Sequence, residues 1–548
     1  METLNNTAWD VLIAGTGLQQ SLLALALSRS GKKVLHIDKN RHYGGAEAAF
    51  SLQEAESWAQ ELTQGDLNLP FHNAAIEQPS LPTEDDDGPK LSFSRAYSLA
   101  LAPQIIYTRS ALLPVLLSTK VYRQLEFLAV GSWWLYTPAS PPDTNPEVSD
   151  SARGEDATLA SKGCLTRIPS GREDVFADQS LDIRSKRALM KFLRFVADYE
   201  NQPEIWEAHR QAPFPEFLSI QFKLPAASHN MLLALTLSPS APLETTTESA
   251  LPRIARHLRS IGLFGPGFGA VIPKWGGLAE IAQVSCRAGA VGGGTYVLGK
   301  RVTKIEVKSE CANVASDTDI SPSQAFDTVL AGEDGVDVVS AACIVGSDED
   351  LPSASTSSQD AQQSARRSIS IISSRLESLF PPLAEGAPAP AGAVVVFPAG
   401  SLSDGGAESA TDSPVHILMH TSDTGECPDG QSVLYASMTA PGAAGFALLD
   451  RAVLELLHCV GEEPSPTVLW SLRYEQSQSA LDTPASASSS EGRILRFPQS
   501  SLDLAFDDGM LERVKKIWQE IVGSDAGEFM KFGEQGNGGG EEEDDEEA

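Results

Sequence analysis

DVLIAGTGLQQSLLALALSRSGKKVLHID, residues 10–38, is the stretch that decides the fold. Asp10–Ala14 is a short apolar run with β-branched residues and reads as a buried strand. Gly15-Thr16-Gly17 follows at once, and Ser21–Ser28 then has the residues of a helix, closed by Gly31. Val34–Asp38 is a second buried strand ending in an acid, so the unit is βαβ. A GxGxxG pattern between such a strand and helix, with an acid ending the next strand, signals dinucleotide binding, which makes FAD the first ligand to consider. The third glycine is missing, however. Gln20 stands where a glycine lets the helix pack close and the pyrophosphate rest on its N-terminus. Gly15, Gly17, Gln20 and Asp38 therefore read as an imperfect fingerprint, a departure that alone does not exclude a cofactor.

Further along, Arg109–Val130 looks helical with one apolar side, and Ser180–Tyr199 is a strong amphipathic helix with Ser180 as its N-cap. Helical patterns also run over Phe214–Leu237 and Glu248–Ser260. Strand patterns return at Thr295–Leu298 and at Val302–Val307, where the alternation has period two. The expected fold class is α/β: an FAD/NAD(P)-binding-like (Rossmann-type) domain, discontinuous in sequence, with an inserted all-helical domain. The boundaries this predicts are 1–164 and 261–523 for the two parts of the first domain, 165–260 for the helical insert, and 524–548 for an acidic tail. Polar stretches rich in Ser, Pro, Gly and Asp at 79–88, 138–161, 309–327, 353–368, 403–413 and 477–490 read as loops or disordered insertions. They lack the apolar residues that offset ordering entropy.

The chain has 548 residues, enough for about two to four domains at roughly 150 residues each, and 42% of them are hydrophobic. With 41 Lys plus Arg against 73 Asp plus Glu, the net charge is -32. That balance excludes nucleic acid as a partner and disfavours a surface that clings to anionic lipid. The 6 cysteines are scattered and contain no CxxC, which argues against a disulfide framework and structural zinc and for a reducing compartment. Residues 1–8 lack a basic start, and no apolar run reaches the ~18 residues of a membrane span. The chain reads as a soluble cytoplasmic protein.

Three separated blocks carry a family resemblance. WDVLIAGTGLQQSLLALALSRSGKKVLHIDKNRHYGG (9–45), ALLPVLLSTKVYRQLEFLAVGSWW (111–134) and IPKWGGLAEIAQVSCRAGAVGGGTYVL (272–298) resemble, in order, the Rab GDP dissociation inhibitor and Rab escort protein superfamily. The resemblance is good over roughly the first 300 residues and thin beyond. It implies the fold of FAD-dependent oxidases with the cofactor dropped, which suits Gln20; only this resemblance makes Gly15, Gly17, Gln20 and Asp38 a degenerate remnant with no cofactor expected. The third block also reads from physics alone. Leu278–Arg287 is expected to be a helix, bounded by Gly276-Gly277 and by the glycines at 292–294. Glu280 and Arg287 lie about two turns apart and share one face, while Ile281 and Val284 share another that packs inward. By resemblance, Tyr43, Glu280 and Arg287 form a platform that grips the switch regions of GDP-bound Rab GTPases. Taken without the family, the same residues are a solvated helix face and a tyrosine supporting the Gly44-Gly45 turn.

The escort and inhibitor branches part at the helical domain. Ser170 and Glu173 form a capping-box pattern, and Phe176 and Arg187 have the spacing seen in escort proteins, where an aromatic and an arginine dock on the α-subunit of Rab geranylgeranyl transferase. A phenylalanine buried on docking contributes about 2–3 kcal/mol. Composition alone places Phe176 in the domain core and Arg187 in solvent. A geranylgeranyl chain in water costs about 0.8 kcal/mol per CH₂, so prenylated Rab needs an apolar cover. Leu189, Phe192, Phe195 and Val196, at helical spacing, are the lipid-site candidates, with core packing as the alternative. Leu232, Leu233 and Leu235 lie in another apolar helix. The resemblance implies an escort protein that is not itself catalytic. Its partners would be GDP-bound Rab, the αβ transferase heterodimer and the prenyl lipid, and its membrane contact would be only transient. A Rab GDP dissociation inhibitor is the nearest alternative, and a flavin amine oxidase-like enzyme is the alternative of another class.

Overall fold

The computed structural model describes residues 4–64, 70–78, 89–139, 163–169, 182–308, 325–352, 362–402, 413–439, 444–479, 493–523 and 527–532. The opening unit forms as its sequence dictates: β1 (Ala8–Ala14), α1 (Leu18–Ser28) and β2 (Val34–Asp38). β2 and the last part of Gly335–Ser347 flank β1 in parallel, with Thr295–Leu298 outside β2 and Ile494–Phe497 outside Gly335–Ser347. Arg301–Val307, Phe326–Gly332 and Gly335–Ser347 extend the sheet as an antiparallel meander.

Alternation along β1 sorts its side chains between two layers. Val11 and Ile13 pack with α1, Leu278–Val291 and Gly509–Val522 on one side. Leu12 and Ala14 pack with Val302, Phe326 and Val339 of the meander on the other. Both faces are covered, which is why the strand is a continuous apolar run.

A second sheet of ten strands stands beside the first. Among the described residues, five of its ten strands come from the second half of the chain: Gln362–Ile372, Gly392–Phe397, Val415–Thr421, Ser432–Met438 and Val468–Ser479. Ala444–Val460 covers one of its faces through Leu449, Val453 and Leu456. The helical region Ile183–Ser260 packs on the other, joining Trp133, Val394, Leu418 and Tyr435 in one core.

Several sequence expectations change here. Arg109–Val130 is a short helix, Leu112–Ser118, followed by a 3₁₀ turn and a strand from Phe127. Lys120 takes the left-handed conformation (φ 59°) and stops the helix, and the β-branched and aromatic residues after it pair as a strand. Phe214–Leu237 breaks at Lys223 (φ 56°) and Pro225 into Phe214–Phe217, a π turn and Ala226–Thr236. The amphipathic helix is Ile183–Val196, capped by Asp182, whose carboxylate accepts the Ser185 N–H at 2.8 Å; Ser180 lies outside the described residues.

Cys164–Arg167 pairs with Phe127–Thr137, so the first residues beyond position 164 belong to the large sheet. Within the polar stretches, 362–368 and 477–479 are paired strand, and Phe326 with Asp327 begins another. Arg366 is held there by Glu475 at 3.0 Å and Arg367 by the Leu502 carbonyl at 3.1 Å, which lets a polar sequence be buried. Residues 79–88, 140–161, 309–324, 353–361, 403–412, 480–490 and the tail 533–548 lie outside the described residues. No helix among the described residues is long and apolar enough to cross a membrane.

Candidate functional site

At the strand ends where a dinucleotide would lie, the chain's own side chains fill the cradle. Thr16 donates its N–H (2.7 Å) and its hydroxyl (2.6 Å) to Asp38 Oδ2, and the Asn40 N–H occupies Oδ1 at 2.7 Å. Glu47, nearly inaccessible, accepts the Leu18 N–H at the start of α1 (3.2 Å) and the Ser500 hydroxyl. Its carboxylate thus holds the helix N-terminus that a pyrophosphate would use. Gln20 reaches over the glycines to Asp350 Oδ2 at 3.3 Å. Gly15 (φ +89°) has no room for a side chain, since a Cβ would lie 2.2 Å from Asp350 Oδ2. Burial, reinforced by Asp350, raises the Asp38 pKa, and burial raises that of Glu47. Burial together with Asp350 pushes Glu349 up to about 8. A cavity of about 220 Å³ remains, lined by Glu47, Glu349 and Asp350 and by Trp58 and Phe71. The Leu18 N–H that a diphosphate would use is already taken by Glu47, and Gln20 with Asp350 occupies the space over the glycines, so these residues do not fit FAD and no flavin step is derived.

The second region is the platform. Gly277 leads into the helix Leu278–Val291, and Ile281 and Val284 are fully buried against α1. Glu280 is partly buried and Arg287 exposed on the opposite face. The helix runs past Arg287 because Gly289 lets it close on its neighbours. A Cβ there would lie 2.2 Å from the Tyr296 hydroxyl and 3.7 Å from Leu25 Cα. Tyr43, partly buried in the turn after β2, stands close enough to Cys286 and Arg287 to feel both. Burial and Cys286 raise its hydroxyl pKa while Arg287 lowers it. Burial likewise raises the Glu280 carboxyl against the pull of Arg287. Arg287 donates to Gln124 Oε1 at 3.2 Å. The structure therefore gathers Tyr43, Glu280 and Arg287, from distant parts of the sequence, onto one accessible face.

The helical domain divides its predicted residues differently. Leu189, Phe192, Phe195 and Val196 are all buried, and Phe192 and Phe195 pack within 5.2–6.4 Å of each other and of Phe214, Phe217 and Phe222. Leu189, Phe192 and Val196 lie within this core, and Phe195, buried with them, also borders the surface groove beside Arg187. Arg187 is exposed and lines a surface groove of about 480 Å³ with Met190, Phe195 and Phe222, flanked by Lys191 and Arg194. Phe176 lies outside the described residues, as do positions 170–173.

A doubly covered dinucleotide-type fold with acids in its cradle and a charged and aromatic surface beside it defines an α/β protein of the Rossmann type. The family model for GDP dissociation inhibitors matches residues 5–327, and the chain belongs to that family. It is 29% identical over 444 residues to the Rab proteins geranylgeranyltransferase component A of Saccharomyces cerevisiae, covering 81% of this chain and 64% of the yeast protein. It is 25% identical over 346 residues to Rab escort protein 1 of Arabidopsis thaliana, covering 56% of each. The matches thus span less than two thirds of these relatives. The fold is similar to that of the Rab GDI of Plasmodium falciparum, with a TM-score of 0.60, 18% identity and coverage of 94% of this chain and 98% of that one.

Sequence reasoning missed Glu47, Glu349 and Asp350, whose roles depend on long-range approach, and Gln124, which receives Arg287. It also passed over Trp275, which is exposed (50%) with a positive φ of 61°, five residues before Glu280. Lys274 Nζ sits 4.8 Å from the Trp275 ring centroid. A large aromatic directly before two glycines was the available signal.

Proposed function

We propose that this chain is a Rab escort protein, the accessory component of Rab geranylgeranyl transferase. It binds GDP-bound Rab through the Tyr43, Glu280 and Arg287 platform, presents it to the αβ transferase, and carries the prenylated product to membranes from the cytoplasm. The observation that carries this reading is the convergence of Glu280 and Arg287 of one helix with Tyr43 of the turn after β2, the composition of a protein-binding hot spot. The names of the yeast and Arabidopsis relatives support the escort branch. Arg187, exposed beside an apolar groove, has the character of a docking residue for the transferase, and Phe176 is proposed as its partner. The bond-making chemistry resides in the transferase, and this chain contributes position and solubility. Phe195 borders the groove beside Arg187, whereas a prenyl chain reaches the buried Leu189, Phe192 and Val196 only if the helices of the domain separate.

Reconstituted Rab prenylation tests the proposal. Transferase and Rab alone should give little product, and adding this chain should restore it. Equal lipid transfer in its absence overturns the reading. Phe176→Ala and Arg187→Ala should weaken transferase binding while leaving Rab binding intact. Should neither weaken it, the chain is a GDP dissociation inhibitor that extracts prenylated Rab without engaging the transferase, the second reading favoured by the family match.

A further inference from the structure

Thr16 stands between the two glycines of the fingerprint and, at 1% exposure, is closed to water. Its hydroxyl makes two bonds: it donates to Asp38 Oδ2 at 2.6 Å and accepts the Gly44 N–H at 3.1 Å. Its carbonyl also takes two donors, the same Gly44 N–H at 3.2 Å and the Ser21 hydroxyl at 2.9 Å. The Ser21 oxygen in turn accepts the Cys286 thiol at 3.2 Å. Gly44 directly follows Tyr43, and Cys286 directly precedes Arg287. One buried residue is therefore bonded toward both parts of the platform, the turn and the helix.

The turn that carries Tyr43 depends on such anchors. Residues 39–43 form neither helix nor strand, so no periodic ladder places the ring. At one end the Asn40 N–H meets Asp38 Oδ1 at 2.7 Å, and the Asn40 carbonyl accepts the Gly299 N–H at 2.9 Å. At the other end the Gly44 N–H is held by Thr16. Both ends thus lead back to the Asp38–Thr16 pair. A threonine hydroxyl has one proton and two lone pairs, so it serves a carboxylate and an N–H at once, and a valine of the same shape serves neither. In a dinucleotide fold the acid ending the second strand takes a ribose hydroxyl. Here the Thr16 hydroxyl takes that place, and the acid orders the chain's own turn instead.

We propose that Thr16 is the positioning residue of the platform: through Gly44, and through Ser21 and Cys286, it sets Tyr43 against Arg287 at the spacing that a GDP-bound Rab GTPase meets. The proposal rests on the Rab-binding reading of Tyr43, Glu280 and Arg287 and adds the residue that fixes their geometry. Thr16 is buried and touches no partner itself; it acts by holding the aromatic and the ion in place, so that less freedom is lost on binding. The remains of the nucleotide fingerprint thereby acquire a role in protein recognition.

The test compares Thr16→Val with Thr16→Ser, which keeps the hydroxyl, in the full chain. Without any partner, hydrogen exchange at the Gly44 amide should accelerate about tenfold or more in Thr16→Val and stay unchanged in Thr16→Ser. Titrated with GDP-loaded Rab, Thr16→Val should bind about tenfold more weakly and Thr16→Ser as well as the unmodified chain. In a Tyr43→Ala background, Thr16→Val should cost less than about twofold, because a residue acting through Tyr43 has nothing left to position. A general loss of stability would act in both backgrounds, so an undiminished loss there overturns the proposal. Unchanged exchange at Gly44 overturns it too, as does unchanged Rab affinity in Thr16→Val when Tyr43→Ala weakens binding. If Tyr43→Ala also leaves the affinity unchanged, the Rab-binding reading is what fails, and exchange at Gly44 alone decides whether Thr16 sets the turn. Should Thr16→Val not fold, Ser21→Ala, which severs only the link to Cys286, takes its place: severalfold weaker Rab binding supports the proposal, and unchanged binding overturns it.

Discussion

Tyr43, Glu280 and Arg287 show what a residue contributes once its neighbours have fixed it. Arg287 donates to Gln124, and Glu280 and Tyr43 are half-withdrawn from water, so each is restricted before any partner arrives. Pre-ordering of this kind lowers the entropy lost on binding. Tyr43→Ala, Glu280→Ala and Arg287→Ala should each weaken binding of GDP-loaded Rab by about 1–3 kcal/mol in a fluorescence titration. Unchanged affinity in all three would move the interface elsewhere. The Arg287 effect should shrink in high salt, because an exposed charge is screened, whereas that of Tyr43 should persist. These three positions were legible in the sequence through family resemblance and helical spacing. Glu47 and Asp350 were not, since nothing local marks an acid 29 or 330 positions from its partner as the plug of a helix terminus or the partner of Gln20.

At the scale of the element, the platform helix depends on its close approach to α1 and to Thr295–Leu298. Gly289 has no side chain because the Tyr296 hydroxyl occupies that space, and Tyr296 in turn stacks at 5.0 Å from His36 of β2. Gly289→Ala should therefore lower stability by about 1–3 kcal/mol through overpacking, read as a reduced denaturant midpoint. A companion Tyr296→Phe change, which removes the obstructing oxygen, should recover part of the loss. No loss in Gly289→Ala would mean the helix stands farther from the sheet than described. The helix itself was readable from glycines and apolar spacing, but its end was not. The expected end at Arg287, set back from the glycines at 292–294, falls one turn short of Val291, and only the packing of Tyr296 shows why a glycine is needed at 289 inside the helix.

Across the whole molecule, the segment 502–506 ties the helical domain to the large sheet. Arg253 Nη2 lies 3.0 and 2.9 Å from the two oxygens of Asp503, Arg256 donates to the Phe506 carbonyl at 3.1 Å, and Arg367 donates to the Leu502 carbonyl. Asp503→Asn should loosen this clasp, and hydrogen exchange in Thr247–Ser260 should accelerate about tenfold or more, a change of at least ~1.4 kcal/mol. Exchange unchanged in that helix would show that the apolar core alone holds the domains together. The sequence by itself determined the βαβ unit, its defective third glycine, the helical insert and the family, because these are local periodicities and short motifs. Only the tertiary structure decided that acids occupy the dinucleotide cradle, that the proposed lipid residues pack in an apolar core with Phe195 at the edge of a groove, and that the polar second half supplies five of the ten strands described in the large sheet. Those outcomes rest on contacts between residues hundreds of positions apart, and burial, charge pairing and strand order are properties of such contacts.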